Sequence, residues 1–152
     1  MSMPRPTEHH LRLQRIIGDW TGEETIYPSP WDPAGGKACA RIVNRGSLDG
    51  FAVIQDYEQE RNGNINFRGH AIFTWNTHEQ CYVMYWFDSM GLPPLVLKGT
   101  FIDHILTLSN ENPGGMSQAM FDFSKDNEYR YRMDVSQDGA RWHTFMEGIY
   151  TK

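Results

Sequence analysis

Phe51-Ala52-Val53-Ile54-Gln55-Asp56-Tyr57-Glu58-Gln59-Glu60, Arg61-Asn62-Gly63-Asn64 and Ile65-Asn66-Phe67-Arg68-Gly69-His70-Ala71-Ile72-Phe73-Thr74-Trp75 read as two strands around a tight turn. In the first segment Phe51, Val53, Gln55 and Tyr57 fall on one face and Asp56, Glu58 and Glu60 on the other. That is the period of two that a half-buried strand needs. Asn62-Gly63 is a strong hairpin signal, because the turns whose twist matches the flanking strands require positive φ.

The pattern continues in both directions. Strands are expected at 19–27, 37–47, 51–60, 65–75, 80–88, 95–102, 105–109, 116–123, 128–136 and 141–150, separated by Pro-, Gly- and Asn-rich turns. Ahead of them, Thr7 can cap a helix over about 7–17 that carries Leu11, Leu13, Ile16 and Ile17 and stops at Gly18. Every connection is short, and no strand–helix–strand unit is present. A sheet this long must hide its edges, and closing on itself does so. The expected fold is all-β: one antiparallel up-and-down β-barrel of about ten strands with a short N-terminal helix, forming a single domain over 1–152.

In such a meander the connections 28–36, 61–64, 89–94, 110–115 and 137–139 share one end. The longer loops fall there, so that end is the expected mouth. The helix then plugs the opposite floor. Closure makes the first strand a neighbour of the last. Trp20 should lie near Tyr150, Glu24 opposite 144–147, and His143 toward the mouth.

Composition narrows the partners. A net charge of -5, with ten Arg scattered among fourteen basic residues, argues against nucleic acid. Cys39 and Cys81 form neither a disulfide framework nor a zinc site and suit half-buried thiols in a reducing, cytoplasmic setting. No apolar run approaches a membrane span, and residues 1–10 lack the apolar segment of a secretory signal. Aromatics at 13% can fill a wide interior with few residues.

Gly18-Asp19-Trp20, following a helix and opening the first strand, resembles the Gly-x-Trp signature of the calycin barrels, the lipocalins and fatty-acid-binding proteins. A longer likeness is carried by Tyr27-Pro28-Ser29-Pro30-Trp31-Asp32-Pro33, Leu48-Asp49-Gly50-Phe51, Gln55-Asp56-Tyr57-Glu58, Phe67-Arg68-Gly69-His70 and Trp86-Phe87-Asp88-Ser89-Met90-Gly91. These segments resemble a bacterial domain-of-unknown-function family, number fifteen seventy-nine, over nearly the whole chain. The resemblance implies a calycin-like barrel and no established activity or site residues. Fatty-acid-binding proteins hold a carboxylate with Arg-x-Tyr on the last strand, and this chain has no such pair there. Nitrobindin-type barrels bind haem through a last-strand His. His143 is comparably placed, but its surroundings do not match, and no haem or other cofactor is expected.

Candidate ligand-binding residues are polar or aromatic side chains on inward faces or at the mouth: Glu24, Tyr27, Trp31, Gln55, Tyr57, His70, Trp86, Asp88 and His143. Glu24 shares a face with Trp20. Buried and alone, it would have its pKa raised by desolvation and could serve as a base; the favoured expectation is that it pairs with an Arg or reaches the wet mouth. Asp88 should meet His143 or an Arg. The strands 65–75 and 80–88 are apolar on both faces, so the inward side of His70 and Trp86 stays open, and the excess points to a homodimer through their outer wall. No metal-ligand spacing, nucleophile motif or phosphate loop is present.

The leading expectation is a barrel that binds a small apolar or amphipathic molecule. One alternative is an enzyme in which at least two of Glu24, His70, Asp88 and His143 converge as acid and base. The others are an interaction module and a haem-binding barrel.

Overall fold

The computed structural model describes residues 2–112 and 115–152. Ten antiparallel strands close into one barrel: β1 (Gly18–Ile26), β2 (Gly36–Ser47), β3 (Ala52–Arg61), β4 (Asn64–Asn76), β5 (Cys81–Asp88), β6 (Leu95–Ile102), β7 (Ile105–Asn112), β8 (Gly115–Lys125), β9 (Glu128–Ser136) and β10 (His143–Thr151). Each strand pairs with its sequence neighbours, and β1 pairs with β10 to complete the ring. The β3–β4 turn is the expected one, with Asn62 at φ 53° and Gly63 at φ 81°.

Most strand boundaries differ from expectation by a residue or two, and three differences bear on the ends of the barrel. The helix is shorter: α1 (Glu8–Arg12) passes into a 3-10 turn over Leu13–Ile16. β7 and β8 extend past the expected loop at 110–115, and Pro113 and Gly114 of that loop lie outside the described residues. β10 begins at His143 rather than at Arg141, which lengthens its preceding loop to 137–142.

The floor is sealed as the meander requires. Leu13 and Ile16 are buried, and the Ile16 carbonyl accepts from Trp20 Nε1 at 3.0 Å and from Asn44 Nδ2 at 2.8 Å. The Tyr82 hydroxyl donates to the His9 carbonyl at 2.7 Å, and His9 stacks on Trp75 at 4.1 Å. Arg12 and Arg15 reach the carbonyls of Asp103 and Phe123 on the floor-side rim. Leu11, expected among the helix's packed residues, is exposed. Its 3-10 continuation turns Leu13 and Ile16 inward instead.

Above this plug the interior is packed with rings. Tyr129 sits 4.8 Å from Trp20 and 4.8 Å from Tyr150, so Trp20 and Tyr150 are neighbours through one aromatic layer. Phe73, Phe121, Phe123, Leu97, Leu106 and Leu108 complete the buried cluster. Free Cys39 is exposed rather than half-buried, because it lies on the outward face of β2. No helix among the described residues is long and apolar enough to cross a membrane.

Candidate functional site

Glu24 lies on the inward face of β1 and is 0% exposed. Its partners are not an Arg, and it does not reach the wet mouth, which corrects both expectations for it. Its Oε1 accepts from the Tyr57 hydroxyl and from Gln59 Nε2, both at 2.8 Å. Its Oε2 accepts from Tyr57 at 2.7 Å and from the Tyr150 hydroxyl at 2.5 Å. Both oxygens of the carboxyl group thus accept, from three donor side chains on β3 and β10. Among the described residues it has no ion-pair partner.

Local sequence makes this possible. Gln55, Tyr57 and Gln59 alternate inward along β3. Glu24 is paired with Gly148, one step beyond the expected 144–147, in an unbroken β1–β10 register that runs from Thr21–Thr151 to Ile26–Met146. The missing side chain of Gly148 leaves room for the phenol of Tyr150. A Cβ there would sit 2.4 Å from its hydroxyl. Burial, and then the Glu24 charge, hold the phenols of Tyr57, Tyr131 and Tyr150 protonated well above the ordinary tyrosine range.

Toward the mouth the packed rings become partly exposed. Phe67, Trp86, Leu95 and Tyr131 pack on the core but are only partly buried. The Tyr57 ring lies 6.1 Å from Phe67 and 6.0 Å from Trp86, edge to face, and Phe67 and Trp86 stack at 6.4 Å. Gly69 is a cradle for Trp86: a Cβ there would meet the indole at 2.1 Å. Trp86 Nε1 donates to Asp88 Oδ2 at 2.9 Å, and Asp88 Oδ1 accepts from the Met90 amide. The Asp32–Arg61 ion pair, with Arg61 also on the Gly35 carbonyl, ties the 27–35 loop to the rim.

The remaining expected site residues are dispersed. His70 faces outward. It bonds Asp56 at 2.8 Å on the outer wall, where Arg45 also binds that carboxylate, because Phe67, Gly69, Ala71, Phe73 and Trp75 take the inward face of β4. Gln55 is buried lower in the barrel. Tyr27 turns to Glu147 at 3.2 Å. Trp31 is 72% exposed and touches Phe145. Asp88 meets neither His143 nor an Arg, and His143 is exposed at the start of β10. Among the described residues no hydrogen bond or ion pair joins any two of Glu24, His70, Asp88 and His143, so the acid–base convergence is not formed. Nor does any group of three His, Cys, Asp or Glu side chains among them form a metal-holding cluster.

Sequence reasoning missed Gln59, Phe67, Leu95, Tyr131 and Tyr150 as members of the site. Gln59 was accessible from the alternation of β3. Tyr150 required the register of the closing seam.

No curated protein matches the sequence. Among solved structures, Rv2717c from M. tuberculosis is similar, with a TM-score of 0.69 at 10% identity over 96% of this chain and 98% of that one. The S-type phycobiliprotein lyase CPES from Guillardia theta is similar with a TM-score of 0.61 at 10% identity, over 96% of each chain. At such identity the likeness concerns the fold. The family is carried by the sequence itself: the pattern of the family described as "Protein of unknown function (DUF1579)" matches residues 5–152, and the chain belongs to that family.

Proposed function

We propose that the protein binds a small apolar or amphipathic molecule at the aromatic mouth of the barrel. One observation carries this reading. The floor and middle of the barrel are sealed by buried rings, while Phe67, Trp86, Leu95 and Tyr131 stay partly exposed on the inward face at one end. Apolar walls with a few convergent polar groups are the usual make-up of a small-molecule site. The site is shallow, because Tyr57 and its partners close it from below. The neighbouring folds support a ligand-holding barrel by analogy alone. The same reading keeps the protein in the cytoplasm, in line with its free Cys39 and Cys81.

Titration with N-phenyl-1-naphthylamine tests it. Saturable one-to-one binding is expected, weakened about tenfold or more by Trp86→Leu, the equivalent of at least about 1.4 kcal/mol. Trp142→Leu at the rim should leave it unchanged. Absence of saturable binding, or indifference to Trp86, would remove the proposal.

A second reading concerns the outer wall. Tyr85, Phe87 and Val96 are exposed there around a buried Val83, on adjoining β5 and β6. This supports self-association through that face. Sedimentation at high micromolar concentration distinguishes the two states, and a monomer there ends the idea.

A further inference from the structure

We infer that the mouth selects a cationic ligand, an aromatic or alkyl ammonium, over neutral and anionic molecules of the same shape. This rests on the mouth being the binding site, and it names the charge that site prefers. Three observations carry it.

The first is the unbalanced charge beneath the mouth. Glu24 is fully buried, and its donors Tyr57, Tyr150 and Gln59 are all neutral. None of these donors carries a positive charge to offset the carboxylate form. Tyr57 spans the gap, with its hydroxyl on Glu24 and its ring against Phe67 and Trp86.

The second is the charge at the rim. Asp88 ends the inward row of β5 and has no cationic partner among the described residues. Its contacts are the Trp86 indole and the Met90 amide. The nearby mouth cation, Arg61, is committed to Asp32. Arg68, on the neighbouring strand, lies on the outward face of β4. Beside the Trp86 wall a ligand meets the Asp88 carboxylate, with Glu24 below Tyr57, whereas Arg141 sits exposed in the 137–142 loop.

The third is the nature of the walls. Phe67, Trp86, Tyr57 and Tyr131 present ring faces and edges to the mouth. A ring face attracts a cation through its quadrupole, and this attraction grows once water is excluded. Ammonium groups are weakly enough hydrated, when alkylated, to leave water for such a surface.

An isosteric pair tests the inference: phenyltrimethylammonium and tert-butylbenzene, with benzoate as the anion. Binding is followed by the NMR shift of the Trp86 indole N–H, identified by its loss in Trp86→Phe. Titrations are run in about 0.5 M salt, which screens the acidic outer surface but acts weakly on buried charge. The ammonium is expected to bind at least about tenfold tighter than its neutral isostere, with benzoate weakest. Glu24→Gln and Asp88→Asn should each shrink the ratio of phenyltrimethylammonium to tert-butylbenzene affinity. Equal binding of the isosteres overturns the cation preference and leaves the mouth site standing. Failure of all three to shift Trp86 overturns both. If Glu24→Gln does not fold, Asp88→Asn at the rim decides: a reduced ammonium preference supports the inference, and an unchanged preference overturns it.

Discussion

The Tyr150 hydroxyl donates to Glu24 Oε2 across the β1–β10 seam, joining residues 126 positions apart where the barrel closes. The two are diagonal neighbours: Tyr150 is paired with Gly22, and Glu24 with Gly148. Both glycines are dictated by contact. A Cβ on Gly22 would sit 1.9 Å from the Ile149 carbonyl oxygen, and one on Gly148 would strike the Tyr150 phenol. The seam is thus held by ladder bonds and by one buried, charge-assisted hydrogen bond.

Tyr150→Phe should therefore destabilise by about 1.5–3 kcal/mol, the range for a lost hydrogen bond to a charged group. The ring stays in place against Tyr129, so packing is preserved and the urea slope should not change. A shift in midpoint worth less than about 0.5 kcal/mol would mean that Tyr57 and Gln59 satisfy the carboxylate alone.

Gly148→Ala is expected to act through the same bond. The new methyl forces the Tyr150 hydroxyl off Glu24, so the two substitutions remove one interaction between them. The double variant Gly148→Ala/Tyr150→Phe should cost clearly less than the sum of its parts. Strict additivity in a denaturation cycle would place the glycine's role elsewhere.

High pH should weaken the fold. The phenols of Tyr57, Tyr129, Tyr131 and Tyr150 are all raised above 10.0 in the folded protein, chiefly by burial. A group whose folded value is raised contributes stability that is complete below its unfolded value and is lost as pH rises through the folded one. Unfolding free energy should therefore fall steeply above about pH 10, together with tyrosinate absorbance at 295 nm. Tyrosinate appearing well before unfolding would show the phenols to be accessible.

The barrel was legible in the sequence because its strands obey a two-residue period punctuated by turn chemistry, and closure follows from the need to hide edges. The inward direction of Glu24 followed from sharing a face with Trp20. Its partners did not, because Tyr57 and Gln59 reach it from β3 and Tyr150 through the register of the closing seam, neither of which alternation within one strand can set. His70 and Trp86 were ambiguous for another reason. β4 and β5 are apolar on both faces, so periodicity cannot orient them, and the glycine at position 69 decides it by making space for the Trp86 ring. Asp88 was misassigned because its partner, the indole N–H of Trp86, is only two residues away on its own strand.

Low pH should loosen the floor through His10. This residue is buried in α1, its Nδ1 accepts the Thr7 amide at 3.0 Å, and its ring meets Phe51 edge-on at 5.0 Å. Burial, reinforced by neighbouring His9, lowers its pKa below 6.5. A depressed value means that the contribution is intact above 6.5 and is lost as pH falls through the folded value. Protonation converts Nδ1 from acceptor to donor, so the Thr7 amide loses its partner and a charge enters an apolar contact. The helix start, and with it the Tyr82–His9 bond, should fray first. Protection of the amides of residues 8–13, corrected for the intrinsic exchange rate, is expected to fall between pH 7 and pH 5 more in the wild type than in His10→Gln, which can accept from Thr7 without titrating. An equal loss of protection in both proteins would remove His10 as the cause of the acid response.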